Sequence, residues 1–226
     1  DEYNREYFAE FVDVVVKALT HETFSHQGRF FQYPPPGLTN PHEHGVYARY
    51  GRGVAADMRI SAVGIAPPPL QRPHPPLYGG FSASLRTARF WAKYRGKPIV
   101  MSSDLDFCRL LWDAYRAEAA AHGYTPAPGA EAAWGGIMIC ARTDAEAEAL
   151  AADMRWFWDQ WAVPFGQGAV NLLIGSPDTL SRQIEAAAAA VPLDECFLII
   201  PQGIHARGEV LGSLELFATR VLPRFQ

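Results

Sequence analysis

The stretch "PHPPLYGGFSASLRTARFWA" at residues 73–92 decides the fold. A proline-bounded apolar run leads into two glycines and two serines, and a helical pattern follows. This order predicts a short buried strand over 76–80, a turn, and a helix over 82–95. Such a turn presents unpaired backbone N–H groups at the positive end of a helix, where anionic groups bind in many α/β proteins.

The same strand-then-helix pattern continues to the end of the chain. Apolar runs predict further strands over 98–101, 134–142 and 195–201, and "PFGQGAVNLLIG" (164–175) is interpreted as a loop. Helices are predicted over 104–122, 144–162, 177–190 and 208–222. Their starts carry helix-capping residues: Asp104, then Thr143 or Asp144, then Ser176 followed by Pro177.

Strands that are apolar along their whole length are buried on both faces, which is typical of parallel sheets in the α/β class. The predicted units, four βα pairs after an initial helix, amount to about the C-terminal half of a (β/α)8 barrel of the TIM type. An open, doubly wound sheet is the alternative. Half a barrel leaves bare sheet edges, so we expect a preceding half of similar size in the natural protein.

The N-terminal third has a different composition. A helix is predicted over 2–20 and a hairpin over 24–33, while 34–76 contains ten of the eighteen prolines. Within it, 58–67 could pair as a strand. We interpret 1–226 as one domain with an irregular insertion over 34–57.

Composition excludes several classes of partner. The net charge of −4 and the pI near 6 argue against nucleic acid or an anionic membrane as a partner. Three widely spaced cysteines indicate reduced thiols, and no apolar run approaches bilayer length. We therefore expect a cytoplasmic protein.

The residues alone leave two interpretations of the opening turn. Gly79 and Gly80 could let a phosphate approach the backbone while Ser82 and Ser84 donate to it, with Arg86 and Arg89 adding charge: six residues in all. Alternatively, a serine caps the helix and the glycines only form the bend.

Other candidates are weaker. His42 and His44 flank a glutamate in a proline-rich loop without an evident third ligand, so we expect no metal site. His74 lies between prolines and His205 follows the last strand, at the ligand edge of a barrel. The cluster Trp156, Phe157, Trp158 and Trp161 indicates core or subunit packing, or the wall of a cavity for a flat apolar ligand.

Four segments taken together resemble the bacterial-luciferase-like flavin-dependent oxidoreductases. They are "FSHQGRFFQY", "PLQRPHPPLYGG" followed by Ser-x-Ser, "LIGSPDTLSRQI" and "SLELFATRVLPRF", and the resemblance covers the later part of that family's barrel. It implies a (β/α)8 barrel that binds FMN, or F420 in one branch, at the carboxyl ends of the strands. It also implies a monooxygenase that receives reduced FMN from a separate flavin reductase and oxidises a small organic substrate with O2 through a flavin hydroperoxide. A homodimer is expected.

The resemblance also assigns cofactor-binding residues. The turn after the first barrel strand of this chain would hold the flavin phosphate, and the end of the next strand would touch the ring; these positions are Gly79, Gly80, Phe81, Ser82, Ala83, Ser84, Met101, Ser102 and Ser103. Family members often carry an acidic residue beside the serine, and this chain does not. Catalytic residues stay unassigned, with His205 as the candidate, because the strands that carry them in the family have no counterpart here.

Three alternatives remain open. The chain could be a non-catalytic flavin-binding or truncated member of the family, or an F420-dependent dehydrogenase of the same superfamily. A barrel that acts on a phosphorylated metabolite without flavin would need a lysine or carboxylate at a strand end. Lys93 and Lys97 lie on or beside a helix instead, and the strand ends offer Ser, Gly and Gln202.

Overall fold

The chain folds into two compact units, Asp1–Pro76 and Leu77–Gln226. The structure is a computed structural model that describes residues 2–40, 52–80, 83–166, 170–201 and 205–225.

The first unit contains the predicted helix and hairpin. Helix α1 spans Glu2–Thr20, and strands β1 (His26–Gln27) and β2 (Gln32–Tyr33) pair antiparallel. The prediction of a strand over 58–67 is wrong. That segment makes isolated bridges only, because its residues pair with three separate parts of the first unit: Arg59 with Thr39, Ile60 with Val54 and Val63 with Phe24.

The carboxylate of Glu10 on α1 fastens the hairpin. It accepts the backbone N–H groups of Arg29 (3.0 Å), Phe30 (3.1 Å) and Phe31 (2.8 Å), and Nε2 of His26 lies 3.1 Å away. Burial alone would raise the pKa of Glu10. The hydrogen bonds from Phe31, His26, Phe30 and Arg29 outweigh it and hold the pKa below its ordinary value of 4.5.

We expect Glu10→Gln to open the hairpin, because a neutral amide cannot accept this converging set of donors as a carboxylate does. The folded pKa is depressed, so the stabilisation is present above pH 4.5 and is lost as pH falls through the folded pKa. Amide exchange at residues 29–31 measures it: the protection factors, which correct for the pH dependence of intrinsic exchange, should fall in the variant at pH 7 and in the native chain below pH 4.5. Glu6→Gln is the control, since Glu6 makes an exposed ion pair with Arg29. Equal protection in both variants would contradict the prediction.

The second unit alternates strands and helices as predicted, but it contains an additional strand. Its elements are β3 (Tyr78–Gly79), α2 (Leu85–Lys93), β4 (Lys97–Val100), α3 (Leu105–Ala121), β5 (Ala133–Cys140), α4 (Asp144–Phe157) with a π-helical turn (Trp158–Ala162), β6 (Leu172–Gly175), α5 (Pro177–Ala190), β7 (Cys196–Ile199) and α6 (Arg207–Leu216) with a second π-helical turn (Phe217–Val221).

The sheet of the second unit is parallel throughout, which confirms the α/β prediction. Strand β3 pairs with β4, and β4 pairs with β5. Strand β5 also pairs with β6 through 137–140 and with β7 through 134–137. The interpretation of 164–175 as a loop is therefore wrong at its end: β6 is a four-residue strand whose partner lies more than 30 residues earlier.

Strands β4 and β6 lie end to end along one edge of β5. Ile137 donates its N–H to Asn171, whereas Trp134 donates to Glu195 before β7, so alternate residues of β5 serve opposite edges. The backbone N–H of Asn171 donates to the carbonyl of Met101 (3.1 Å), which joins the end of β4 to the start of β6.

A side-chain contact links the two outer strands of the sheet. Strands β3 and β7 are separated by two strands. Tyr78 on β3 donates to Glu195 Oε2 (2.8 Å) beside β7, and Lys97 pairs with the other oxygen of the same carboxylate.

Candidate active site

α/β proteins place their ligands beyond the carboxyl ends of the parallel strands. Here β3 and β4 end close together, because Gly79 pairs with Pro98, whereas β4 ends level with Trp134, near the start of β5. The sequence-predicted site residues that the structure describes lie at the end of β3 and in the turn after it, at the end of β4, and after β7.

In the turn after β3, the two glycines have different roles. A Cβ on Gly79 would overlap the indole of Trp91 on α2, so glycine is required there for helix-on-strand packing. A Cβ on Gly80 would meet no heavy atom within 4 Å, so the backbone there is open to a ligand. Sequence reasoning assigned both glycines to the ligand, and the packing role of Gly79 was missed.

The serine nearest to the helix is a cap. Ser84 has extended backbone angles, and its Oγ accepts the N–H of Thr87 (3.2 Å) and lies 2.9 Å from the Thr87 hydroxyl. Ala83 is exposed. The predictions for Phe81 and Ser82 lie outside the described residues.

The end of β4 is held from two directions. Met101 is buried, and its carbonyl accepts from Asn171. The carbonyl of Ser102 accepts the indole N–H of Trp134 (2.9 Å), and its hydroxyl accepts the N–H of Asp104 (3.1 Å). Ser103 is exposed. Ser102 is thus fixed by its surroundings, whereas Ser103 is open to a ligand.

Asn171 is the residue that sequence reasoning missed. It is 6% exposed, its side-chain amide donates to the carbonyl of Gly135 (3.2 Å), and its own carbonyl accepts from Ile137 (2.9 Å). It therefore fills the junction between β4 and β6 with hydrogen bonds to two segments, the end of β4 and strand β5. Its only signal in the sequence is an asparagine placed just before a short apolar run.

His205 contacts helix α4. Its Nε2 donates to the carbonyl of Leu150 (2.6 Å), and the ring lines a small cavity with Met138, Pro201 and Ser213. One ring nitrogen of His205 is therefore hydrogen-bonded to α4 and holds the segment after β7 against that helix. His74, in the first unit, contacts the carbonyl of Pro75 (2.7 Å) through Nδ1.

An apolar surface adjoins the end of β4. Ile99, Met101 and Ala133 are buried there, and Ile137, Val170 and Ile199 pack against them while partly exposed. Ile99 pairs with Ala133 and Ile137 pairs with Ile199, and positions 133 and 137 of β5 are four residues apart, so these strand residues share one face of the sheet. We call this set the inner face.

The described residues contain no cluster of three or more His, Cys, Asp or Glu side chains that could hold a metal ion. The candidates His42 and His44 lie outside the described residues. A helix needs about 20 apolar residues to cross a bilayer, and none in the described part of the chain meets that requirement.

The family model for luciferase-like monooxygenases matches residues 2–165, and the chain belongs to that family. No curated protein sequence matches it.

Solved structures share the fold at low identity. A monooxygenase from Streptomyces bottropensis is 18% identical, with a TM-score of 0.67 over 98% of this chain and 62% of its own. The oxygenating constituent of 3,6-diketocamphane monooxygenase from the CAM plasmid of Pseudomonas putida, solved in complex with FMN, is 19% identical, with a TM-score of 0.70 over 97% of this chain and 63% of its own. The coenzyme F420-dependent tetrahydromethanopterin reductase from Methanopyrus kandleri is 12% identical, with a TM-score of 0.60 over 97% of this chain and 63% of its own. The chain thus spans about three fifths of the length of these structures, as expected for part of a barrel.

Proposed function

We propose that the chain is part of a flavin-dependent oxidoreductase that binds FMN and oxygenates a small organic substrate. The observation that carries the proposal is the turn between β3 and α2. There an open backbone at Gly80 precedes a helix N-terminus whose cap, Ser84, leaves the other amides of the first turn for an anion.

The charges at this turn suit a phosphate. None of the described residues of the turn or of the first turn of α2 is acidic, and Arg86 and Arg89 follow on the helix. Because the Ser84 hydroxyl is engaged in the cap, backbone N–H groups are the proposed phosphate ligands, together with residues 81–82. The positive end of the helix stabilises the phosphate charge.

The end of β4 suits the flavin ring. Ser103 is exposed there, and the inner face beside Met101 supplies an apolar surface that excludes water from the reacting atoms. Bound reduced FMN supplies the electrons for the reduction of O2 while the substrate is oxygenated. Delivery of reduced FMN by a separate reductase, a homodimeric assembly and a cytoplasmic location belong to the same proposal.

Titration of the chain with FMN and with F420 tests the cofactor. We expect FMN fluorescence to be quenched on binding and F420 to bind at least tenfold more weakly. Oxygen uptake with reduced FMN should then depend on the organic compound added. Uptake that yields only hydrogen peroxide with every compound would indicate the non-catalytic flavin-binding role, and absence of FMN binding would overturn the proposal.

Ser84→Asp is expected to raise the dissociation constant for FMN about tenfold, because it places a negative charge beside the phosphate. Aspartate is an equally good helix cap, so the melting temperature should change little. Thr143→Asp is the matched control, since Thr143 caps α4 in the same way by accepting the N–H of Glu146 (3.1 Å). Isothermal titration calorimetry measures both variants. Equal FMN affinity in the two would show that the phosphate lies elsewhere.

A further inference from the structure

A cleft of about 390 Å3 lies within the first unit. Three segments line it: the hairpin of β1 and β2, the proline run that follows β2, and the turn over residues 55–61. Small-molecule sites in proteins have volumes of about 300–1,000 Å3, so this cleft is large enough for a small ligand. We call it the hairpin cleft.

Backbone hydrogen bonds join the walls of the hairpin cleft. Ile60 donates its N–H to the carbonyl of Leu38 (2.9 Å), which connects the turn to the proline run. The turn itself is closed by the N–H of Ala55, which donates to the carbonyl of Arg59 (2.8 Å). The prolines at 34–36 restrict the backbone of the wall that they form. The cleft is therefore formed before a ligand arrives, and binding orders little of the chain.

Two glutamine side chains lie side by side on the hairpin wall. Gln27 on β1 pairs with Gln32 on β2, and both line the cleft. The neighbouring His26 contacts the carboxylate of Glu10 on α1. Because successive side chains of a strand point to opposite faces, the two glutamines lie on the face turned away from α1. The Cβ atoms of directly opposed residues are about 5 Å apart, so both amides can reach one ligand.

The polar groups of the hairpin cleft have unused hydrogen-bonding capacity. The side chains of Ser25, Gln27 and Gln32 are exposed and make no hydrogen bond within the described part of the chain. The hydroxyl of Ser61 donates to the carbonyl of Gly53 (3.1 Å) and can still accept. Amide side chains and hydroxyl groups both donate and accept. A hydroxyl group of a ligand therefore suits each of these positions in either direction.

The hairpin cleft favours a neutral ligand. Its described lining residues include no carboxylate and one cation, Arg59. The guanidinium of Arg59 is hydrogen-bonded to the carboxylate of Asp57, which offsets its charge. The proline rings and the side chains of Leu38 and Ile60 supply an apolar wall that suits the CH groups of a ligand. A molecule with several hydroxyl groups and an apolar CH surface matches both kinds of wall.

We propose that the hairpin cleft binds a neutral polyol of the size of a monosaccharide. The hydroxyl groups of the polyol exchange hydrogen bonds with the amides of Gln27 and Gln32 and with the hydroxyl of Ser25, while its CH groups contact the prolines. The proposal is independent of the flavin assignment, because every residue it uses belongs to the first unit.

D-glucose is the probe, and its binding to the full chain is followed by the amide resonances in NMR spectra. We expect saturable shifts at residues 25–38 and 55–61. Gln27→Met and Gln32→Met should each raise the dissociation constant for glucose about fivefold, because each removes hydrogen-bonding groups while keeping the length of the side chain. Gln160→Met is the matched control, since Gln160 is exposed but lies on the first π-helical turn of the second unit. It should change the dissociation constant less than about twofold.

D-gluconate and cyclohexanol are the comparison ligands, and the amide spectra show that each variant is folded. Gluconate adds a charge that the cleft does not compensate, and cyclohexanol has a single hydroxyl group, so both should bind at least about fivefold more weakly than glucose. Tighter binding of gluconate would overturn the inference in favour of an anion site at Arg59. Equal binding of cyclohexanol would overturn it in favour of an apolar cleft. Absence of saturable glucose shifts at the cleft, or equal glucose affinity in Gln27→Met and Gln160→Met, would also overturn it.

Discussion

Gly135→Ala is expected to lower the free energy of unfolding by about 3 kcal/mol, among the largest effects of any single methyl group in this chain. A Cβ at this position would overlap the carbonyl oxygen of Phe197 and lie 2.6 Å from its carbonyl carbon. Both atoms belong to the backbone of β7, so no side-chain rotation relieves the overlap. The variant must separate β5 from β7, which pair directly at Gly135 and Phe197.

Urea unfolding followed by tryptophan fluorescence measures this effect. Gly212→Ala is the control, because Gly212 lies within α6 and a Cβ there meets no heavy atom within 4 Å. Alanine is preferred to glycine inside a helix by roughly 0.5–1 kcal/mol, so this variant should be slightly more stable than the native chain. A Gly135→Ala midpoint as high as that of the native chain would show that β7 tolerates the displacement.

Gly79→Ala is expected to destabilise the second unit by about 2 kcal/mol, whereas Gly80→Ala should change its stability by less than about 0.5 kcal/mol. The two glycines are adjacent in sequence, but only the first has the indole of Trp91 against its backbone. Trp91 also packs against Gly96, where an added Cβ would lie 2.5 Å from Cε3 of the indole. The indole is thus enclosed between two glycines and has little room to move.

A double-mutant cycle with Trp91→Phe separates this overlap from other causes. The smaller ring should tolerate the methyl group better, so the double variant should lose less stability than the sum of the two single variants. Additive losses would show that Gly79 is needed for another reason. Equal losses in Gly79→Ala and Gly80→Ala would mean that the turn, and not the indole, requires glycine.

Local features of the fold were predictable from sequence. The caps at Asp104, Thr143 and Ser176 are read from residue type and position, and in the structure each accepts a backbone N–H three residues later. The apolar runs of β4, β5 and β7 were visible for the same reason, since their signal lies within a few residues. Strand β6 was not, because its four residues end a stretch that contains proline and several glycines, as a loop does, and only the pairing with β5 shows that they form a strand.

In the candidate site, too, local features were predictable from the sequence and long-range contacts were not. The turn after β3 was located by its glycines and serines, but the sequence could not assign Gly79 to Trp91, which lies twelve residues later on a helix face. Asn171 was invisible because its partners, Met101 and Gly135, are far away in sequence. The cap role of Ser84 was among the alternatives, and the phosphate assignment of the turn stays a prediction.

The two ends of the segment that carries α4 and β6 lie side by side. The N–H of Ala141, just after β5, donates to the carbonyl of Gly175 (3.2 Å), just before α5. Closing a longer loop between ends that already meet costs little additional entropy, so the far end of this segment could change in length while its two ends stay in place. Helix α4 and strand β6 themselves are not free to change, because β6 pairs with β5 and α4 packs on Ile139 and Ile174.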